Sequence, residues 1–224
     1  ESGRKNVYVD TPIEEVLKSE GLEPDVIMDP DMKYLHRTMK NTEIYWINKA
    51  AKDYRSVKLS FRTNGMKPTL WHPDTGLIED VTYHIDGDRT VVELDMVPDD
   101  AVFVVFNGNA EDSYTVPQKK ENTVLTVQSP WTVKFQEGRG APAERVFDKL
   151  QCYTQSEEFG IKYFSGVASY NNTIVVSDIS GDAIIDLGSV KNIAEVYVNG
   201  EYCGTAWKEP FRVDVSKALV KGEN

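Results

Sequence analysis

The chain has 224 residues, enough for one large or two ordinary domains, and 25 Lys and Arg against 36 Asp and Glu give a net charge of −11. This excess of acids argues against nucleic acids and anionic membrane surfaces as partners, because both attract basic patches. Apolar runs such as 101–106 are far too short to cross a bilayer, so we expect no membrane insertion.

Residues 1–32 predict a short α/β segment. Thr11, Pro12 and Glu14 suit the N-cap, the first helical position and the capping-box position of a helix. Short apolar stretches on either side of this helix, the second at 24–27, suit strands. A strand–helix–strand of this size cannot bury much apolar area, so we interpret it as the remnant of a truncated α/β domain.

Residues 33–116 predict a small β-sandwich. Val57, Leu59 and Phe61 alternate with polar residues, which places them on one face of a strand. Asp86-Gly87 separates two further apolar stretches and is a strong hairpin signal. Several short strands with regularly spaced turns indicate a compact sandwich.

Residues 117–224 predict a second β domain, which begins in a polar linker. Asn199-Gly200 between two apolar stretches indicates a type I′ hairpin turn. Trp131 and Trp207 lie inside predicted strands, so we expect both to pack in the core. The predicted strands lie near 123–127, 131–135, 161–170, 172–176, 183–187, 193–198, 202–207 and 211–215.

Four residues are candidates for substrate binding. His36 and Arg37 lie where the α/β remnant meets the first sandwich, and ligand clefts favour such junctions. Trp71 and His72 are adjacent in a predicted turn, where they could stack on a sugar ring or simply pack at the end of a hairpin. The third histidine, His84, lies opposite the apolar face of its strand and is expected to be exposed.

The sequence contains no acid in a recognisable catalytic frame, so we assign no catalytic residue. Glu157 and Glu158 are adjacent, and extended geometry would point their side chains apart. Ser165 lacks the GxSxG context of a serine hydrolase. No Cys/His cluster indicates a metal, and we expect no cofactor in this chain. Cys152 and Cys203 would pair only in an oxidising compartment; a buried free thiol at Cys203 is the alternative.

Two sets of sequence phrases carry a resemblance to known families. The first set lies at 129–135, 163–170 and 186–215, and the second at 34–38, 43–48, 68–76 and 102–106. The first set resembles the sugar-binding, galactose-binding-like jelly roll of glycoside hydrolase family 2 and its relatives. The second set resembles the C-terminal half of the family 106 α-L-rhamnosidases and related hydrolases of Bacteroides type. Together they cover essentially the whole chain.

The resemblance implies a periplasmic or secreted enzyme whose catalytic domain and carboxylates precede Glu1, with any calcium bound there. Carbohydrate and that catalytic domain in cis are the implied partners. His36 and Arg37 carry over only as contributors at the junction with the catalytic domain. Residues 117–224 become a galactose-binding-like jelly roll that lacks its last strand, because relatives continue beyond Asn224. The expected fold is mostly β, with two β-sandwich domains after a short α/β remnant.

The expected role is a non-catalytic accessory region of a glycoside hydrolase, which supports the catalytic domain and contacts sugar. Two alternatives stay open: an independent carbohydrate-binding module, or β-sandwich domains with a purely structural or interaction role. Exposed aromatic side chains in a concave groove would favour the binding module, whereas tryptophans that are all buried would count against it.

Overall fold

Antiparallel strands dominate the computed structural model, which describes residues 7–128 and 130–224. Strands take 43% of the residues and helices 6%, which confirms the predicted mostly-β fold. The chain divides into two units, Glu1–Lys119 and Lys120–Asn224. The first six residues of the predicted α/β remnant lie outside the described ranges. No helix within these ranges is long and apolar enough to cross a membrane.

In the first unit the described residues form ten strands. These are β1 (Val26–Ile27), β2 (Met32–Met39), β3 (Thr42–Lys49), β4 (Arg55–Phe61), β5 (Met66–Trp71), β6 (Ile78–Asp80), β7 (Thr82–Asp86), β8 (Arg89–Met96), β9 (Asp100–Asn109) and β10 (Ser113–Tyr114). They build two antiparallel sheets: sheet A with the order β1-β4-β8-β7-β10, and sheet B with the order β2-β3-β9-β5-β6.

The core of the first unit lies between sheets A and B. The predicted alternation in β4 is confirmed, because Val57, Leu59 and Phe61 are all buried. From sheet B, Tyr45 and Phe106 meet Phe61 edge to face, with ring centres 4.7 Å and 5.1 Å away. Such aromatic pairs stabilise a core beyond their buried area. The arrangement is consistent with the predicted β-sandwich.

The segment before β2 contributes a strand to sheet A. β1 pairs with β4, so that Val26 lies opposite Phe61. A short helix, α1 (Ile13–Ser19), precedes β1 and buries none of its residues. The predicted capping box is wrong, because Pro12 takes the N-cap position and no side chain caps the helix. The Thr11 hydroxyl instead donates to the carbonyl oxygen two residues before it, at 3.2 Å.

The second unit has shorter strands. They are β11 (Trp131–Phe135), β12 (Glu144–Phe147), β13 (Ala168–Asn171), β14 (Val175–Val176), β15 (Ile184–Asp186), β16 (Ala194–Val198), β17 (Glu201–Ala206), β18 (Arg212–Asp214) and β19 (Gly222–Glu223), with a helix α2 (Phe159–Lys162) and a 3₁₀ turn (Tyr153–Gln155). One sheet has the order β12-β11-β13, and β14-β19, β15-β18 and β16-β17 form antiparallel pairs. Two small apolar clusters, around Phe135 and around Val213, fill this unit.

Two predicted strands of the second unit are wrong. The stretch 123–127 forms no strand and exposes its apolar side chains. The stretch 161–170 is divided between the end of α2 and the start of β13. Gly160 lies within this helix, and only glycine fits there, since a β-carbon would lie 2.1 Å from the carbonyl oxygen of Gly140. The close approach of these backbones is a tertiary constraint that local apolar patterning does not contain.

The hairpin of β16 and β17 confirms the predicted turn. Asn199 and Gly200 have φ angles of 53° and 83°, both in the left-handed region that a type I′ turn requires. Trp207 follows β17 and is 56% exposed, so its expected core position is wrong. Trp131 is partly buried against the cluster around Phe135.

Both cysteines are free thiols. Cys152 is exposed, and the Thr154 hydroxyl donates a hydrogen bond to its sulfur at 3.1 Å. That bond holds the pKa of the Cys152 thiol below its ordinary value, because it favours the thiolate. Cys203 is partly buried against the cluster around Val213, which confirms the free-thiol interpretation.

Replacing Phe61 by Ala is expected to lower the free energy of unfolding of the first unit by about 3–5 kcal/mol. The substitution leaves a cavity and removes the contacts of Phe61 with the rings of Tyr45 and Phe106. Urea unfolding followed by circular dichroism measures the change. Tyr54→Ala is the control in the same unit, since Tyr54 is 60% exposed, and it should change stability by less than about 0.5 kcal/mol. An equal loss of unfolding free energy in the two variants would contradict the packing of Phe61 in the core.

Candidate functional site

β2 directs His36 toward the core side of sheet B, where Tyr34 also packs. The imidazole stacks on the ring of Tyr45, with ring centres 4.1 Å apart and an interplanar angle of 9°. Its Nδ1 lies 3.2 Å from Asp25 Oδ2, and its Nε2 lies 2.7 Å from Glu43 Oε2. When the ring carries both protons, each nitrogen donates to one carboxylate.

Asp25 connects this histidine to Arg62, whose guanidinium donates to the other carboxylate oxygen, Oδ1. Burial opposes ionisation of Asp25, but the hydrogen bonds from Arg62 and His36 outweigh it and hold the pKa of this carboxyl below its ordinary value. Glu43 accepts a second hydrogen bond, from the Thr38 hydroxyl, at 2.7 Å. We call Asp25, His36, Glu43 and Arg62 the histidine cluster.

The histidine cluster is not arranged for hydrolysis of a glycosidic bond. Most glycosidases hold two carboxylates about 5–9.5 Å apart with the scissile bond between them. Here the imidazole of His36 fills the space between Asp25 and Glu43, and each carboxylate already accepts two hydrogen bonds. The cluster therefore fastens the segment before β1 to β2, β3 and the end of β4.

Arg37 lies on the face of sheet B opposite His36, because successive side chains of a strand alternate. We call this the outer face. Strand register aligns one side chain from each of the five strands into a row across it: Leu35, Trp46, Phe103, Trp71 and Ile78. We call these five residues the aromatic row. Cross-strand neighbours in such a row lie close enough for their side chains to touch.

A shallow depression of about 340 Å³, which we call the cradle, lies at the β2 end of the aromatic row. Its lining is formed by Leu35, Arg37, Ile44, Trp46 and Phe103. Leu35 is exposed, and Trp46 and Phe103 are half-buried, so apolar surface is open to solvent. Arg37 donates through Nη1 to the carbonyl oxygen of His36 at 3.0 Å. A guanidinium has five N–H donors, so most remain for a ligand.

The adjacent residues Trp71 and His72, predicted as a pair, have different surroundings in the structure. Trp71 is 43% exposed and belongs to the aromatic row, and its indole N–H donates to the Thr69 hydroxyl at 3.1 Å. His72 follows β5, with Nε2 2.9 Å from Glu79 Oε1 and its backbone N–H donating to the Leu77 carbonyl oxygen at 2.9 Å. His72 therefore fastens the turn between β5 and β6.

The structure thus brings two of the four predicted substrate-binding residues, Arg37 and Trp71, to one face. The two histidines lie in local hydrogen-bonded groups, and a substrate role for any of the four stays a prediction. Sequence reasoning missed Trp46 and Phe103. Each alternates with core residues of its own strand, which shows that it faces away from the core. Their alignment depends on strand register, which the alternation does not reveal.

Other candidate features are simpler. His84 on β7 is exposed, as predicted. Among the residues that the structure describes, no group of three or more His, Cys, Asp or Glu side chains is placed to hold a metal ion. Calcium in a longer enzyme stays a prediction.

Comparison with known proteins identifies relatives of this arrangement. Residues 1–85 match the α-L-rhamnosidase model of glycoside hydrolase family 106. A rhamnosidase from Novosphingobium sp. PP1Y has a similar structure, with a TM-score of 0.88 and 39% identity, over 95% of this chain and 21% of that one. A protein of Formosa agariphila named "Putative beta-glucuronidase" is 32% identical over 183 residues, which are 77% of this chain and 15% of that protein.

These matches confirm the predicted similarity to rhamnosidase-type glycoside hydrolases. The chain spans about a fifth or less of the length of the two relatives. The family 106 match includes the whole histidine cluster and every member of the aromatic row except Phe103. Origin in a Bacteroides-type enzyme and the galactose-binding-like jelly roll stay predictions.

Asp25→Asn is expected to lower the free energy of unfolding of the first unit by about 1–3 kcal/mol at pH 7, because it removes an acceptor of charged hydrogen bonds. The pKa of Asp25 is depressed in the folded state. Its contribution is therefore fully present above the unfolded pKa of about 3.9 and is lost as the pH falls through the folded pKa. Urea unfolding of both proteins at pH 7 and at successively lower pH measures this difference.

Asp88→Asn is the matched control, since Asp88 is exposed in the turn between β7 and β8. We expect this variant to follow the parent protein within about 0.5 kcal/mol at each pH. A difference between parent and Asp25→Asn that stays constant from pH 7 to below the folded pKa would contradict a role for the Asp25 charge.

Proposed function

We propose that this chain is a non-catalytic accessory region of a carbohydrate-degrading glycoside hydrolase of the α-L-rhamnosidase type. The observation that carries the proposal is the extent of the structural match. The match to the Novosphingobium rhamnosidase covers 95% of this chain but only 21% of that protein. A segment of this size, made of short antiparallel strands, suits a region that supports a larger catalytic domain in the same polypeptide.

The acids near the candidate residues support the non-catalytic part of the proposal. Asp25 and Glu43 are engaged with His36, with no space left between them for a sugar. The cradle is lined by four apolar side chains and Arg37, without a carboxylate. Hydrolysis by a pair of acids at either of these places would therefore require carboxylates from elsewhere. The proposal places the catalytic carboxylates and any calcium in the larger catalytic domain, in a periplasmic or secreted enzyme of Bacteroides type.

We also propose that the second unit is a galactose-binding-like jelly roll that contacts carbohydrate. Its antiparallel strand pairs support this assignment. Its β16–β17 hairpin also carries two exposed tyrosines, Tyr197 and Tyr202, whose ring centres are 5.5 Å apart. Aromatic faces of this kind offer apolar surface with a polar hydroxyl beside it, a combination that suits sugar rings.

A second candidate function is that of an independent carbohydrate-binding module. The exposed aromatic row favours it, because Trp71 is open to solvent and Trp46 and Phe103 line a concave surface. Exposed aromatic side chains on a concave surface are expected of a binding module. The two functions differ in whether the chain acts alone or only beside a catalytic domain.

The isolated chain is expected to release no nitrophenol from p-nitrophenyl α-L-rhamnoside, because Asp25 and Glu43, the acids beside the candidate residues, are both engaged with His36. Absorbance over several hours measures release, and an active rhamnosidase serves as the positive control. Hydrolysis by the purified chain that is abolished by Asp25→Asn or Glu43→Gln would overturn the accessory assignment.

A glycan array separates the two candidate functions. An accessory region that acts beside a catalytic domain is expected to give weak signals from the isolated chain. Selective, strong binding that is lost on replacing Trp71 by Ala, with Trp207→Ala as an exposed control in the other unit, would instead favour the independent module.

A further inference from the structure

The outer face of sheet B carries positive charge on a protein whose net charge is −11. Lys33 and Arg37 flank Leu35 on this face of β2. Arg37 is four positions after Lys33 along the strand, so their α-carbons lie about 13 Å apart. Neither cation forms an ion pair with a carboxylate in the parts of the chain that the structure describes.

Most arginines that the structure describes do contact a carboxylate, unlike Arg37. Four arginines each contact a carboxylate: Arg55, Arg62, Arg145 and Arg212. Arg89 donates to the carbonyl oxygens of Pro24 and Ser60. Within the described ranges, only Arg139 resembles Arg37 in lacking a carboxylate or such a carbonyl pair. Acids outnumber bases by 36 to 25, yet Arg37 remains unpaired beside the half-buried rings of Trp46 and Phe103, so its charge is available for a partner.

The cradle combines this charge with an apolar floor. Trp46 and Phe103 supply half-buried rings, and Arg37 supplies the guanidinium on its lining. Ligand sites typically pair an apolar or aromatic lining with a few polar groups that fix orientation. The C–H face of a sugar ring suits such a floor, and a guanidinium binds a carboxylate through two parallel hydrogen bonds.

We propose that the cradle binds an acidic saccharide, with the ring of a uronic acid on Trp46 and Phe103 and its carboxylate bound to Arg37. Lys33 supplies the second cation, placed for a carboxylate on another residue of the same saccharide chain. The inference rests on the proposed role in carbohydrate degradation and adds to it the class of sugar and the face that binds it.

A protein layer over the same face is the competing occupant. Such a layer would bury Lys33 and Arg37 and would therefore have to bring its own carboxylates to both, since burial of an unpaired charge is costly. A saccharide leaves both cations in contact with water and needs only a shallow depression. The observed geometry favours the saccharide, and self-association of the chain is one of the outcomes tested below.

Isothermal titration calorimetry with trigalacturonate and with its fully methyl-esterified form tests the proposal. The two probes share the same rings and differ in the carboxylate charges. At low ionic strength trigalacturonate should bind at least about tenfold more tightly than the ester, and added NaCl should weaken its binding.

Variants assign that binding to the cradle. Arg37→Gln should weaken trigalacturonate binding at least about tenfold and leave the ester unchanged. Arg139→Gln makes the same change of charge in the second unit and should leave both affinities unchanged. Trp46→Leu should weaken both probes, because it removes the ring that supports the sugar, and its thermal unfolding shows whether it folds. Arg37 is exposed, so its variant remains informative if Trp46→Leu does not fold.

Three results would overturn the proposal: no binding of trigalacturonate at millimolar concentration, equal affinity for the ester, or equal losses in the two arginine variants. Self-association in sedimentation that Arg37→Gln abolishes, without saccharide binding, would assign the face to a protein partner instead. None of these results bears on whether the chain hydrolyses a rhamnoside, so the accessory role and the acidic-sugar site can fail separately.

Discussion

The contact of Tyr45, Phe61 and Phe106 holds together the two sheets of the first unit. Each ring points into the core from a different strand, β3, β4 or β9, and the three meet edge to face. Because a shift of one residue would turn a strand's apolar side chains outward, burying these rings fixes the register of sheet B. The same register decides which residues appear on its outer face, so the core packing and the aromatic row are consequences of one arrangement.

Strand geometry places the neighbouring residues His36 and Arg37 on opposite faces of sheet B, so their side chains have different surroundings. One side chain enters the histidine cluster above Tyr45, where two carboxylates surround it. The next points to the outer face and borders the cradle. The family 106 match includes both residues, but the structure gives them different environments: a stabilising contact for His36 and an accessible charge for Arg37.

The sequence predicted correctly those features that depend on neighbouring residues alone, such as strand alternation and turn type. Strand alternation placed Val57 and Leu59 in the core, and Asn199-Gly200 indicated its turn because two consecutive left-handed residues favour that pair. The alignment of Trp46 with Phe103 joins strands distant in sequence, and pairing of that kind is not encoded in either strand alone. The same holds for the close approach of Gly160 to the backbone of Gly140, which joins two separate segments of the chain.

Cys152 has a practical consequence for experiments in solution. Its thiol is exposed, its pKa is lowered by the hydrogen bond from Thr154, and a larger thiolate fraction speeds alkylation at neutral pH. The other cysteine is partly buried, so a maleimide reagent would react preferentially at Cys152. A fluorophore attached there would label the second unit at one defined position.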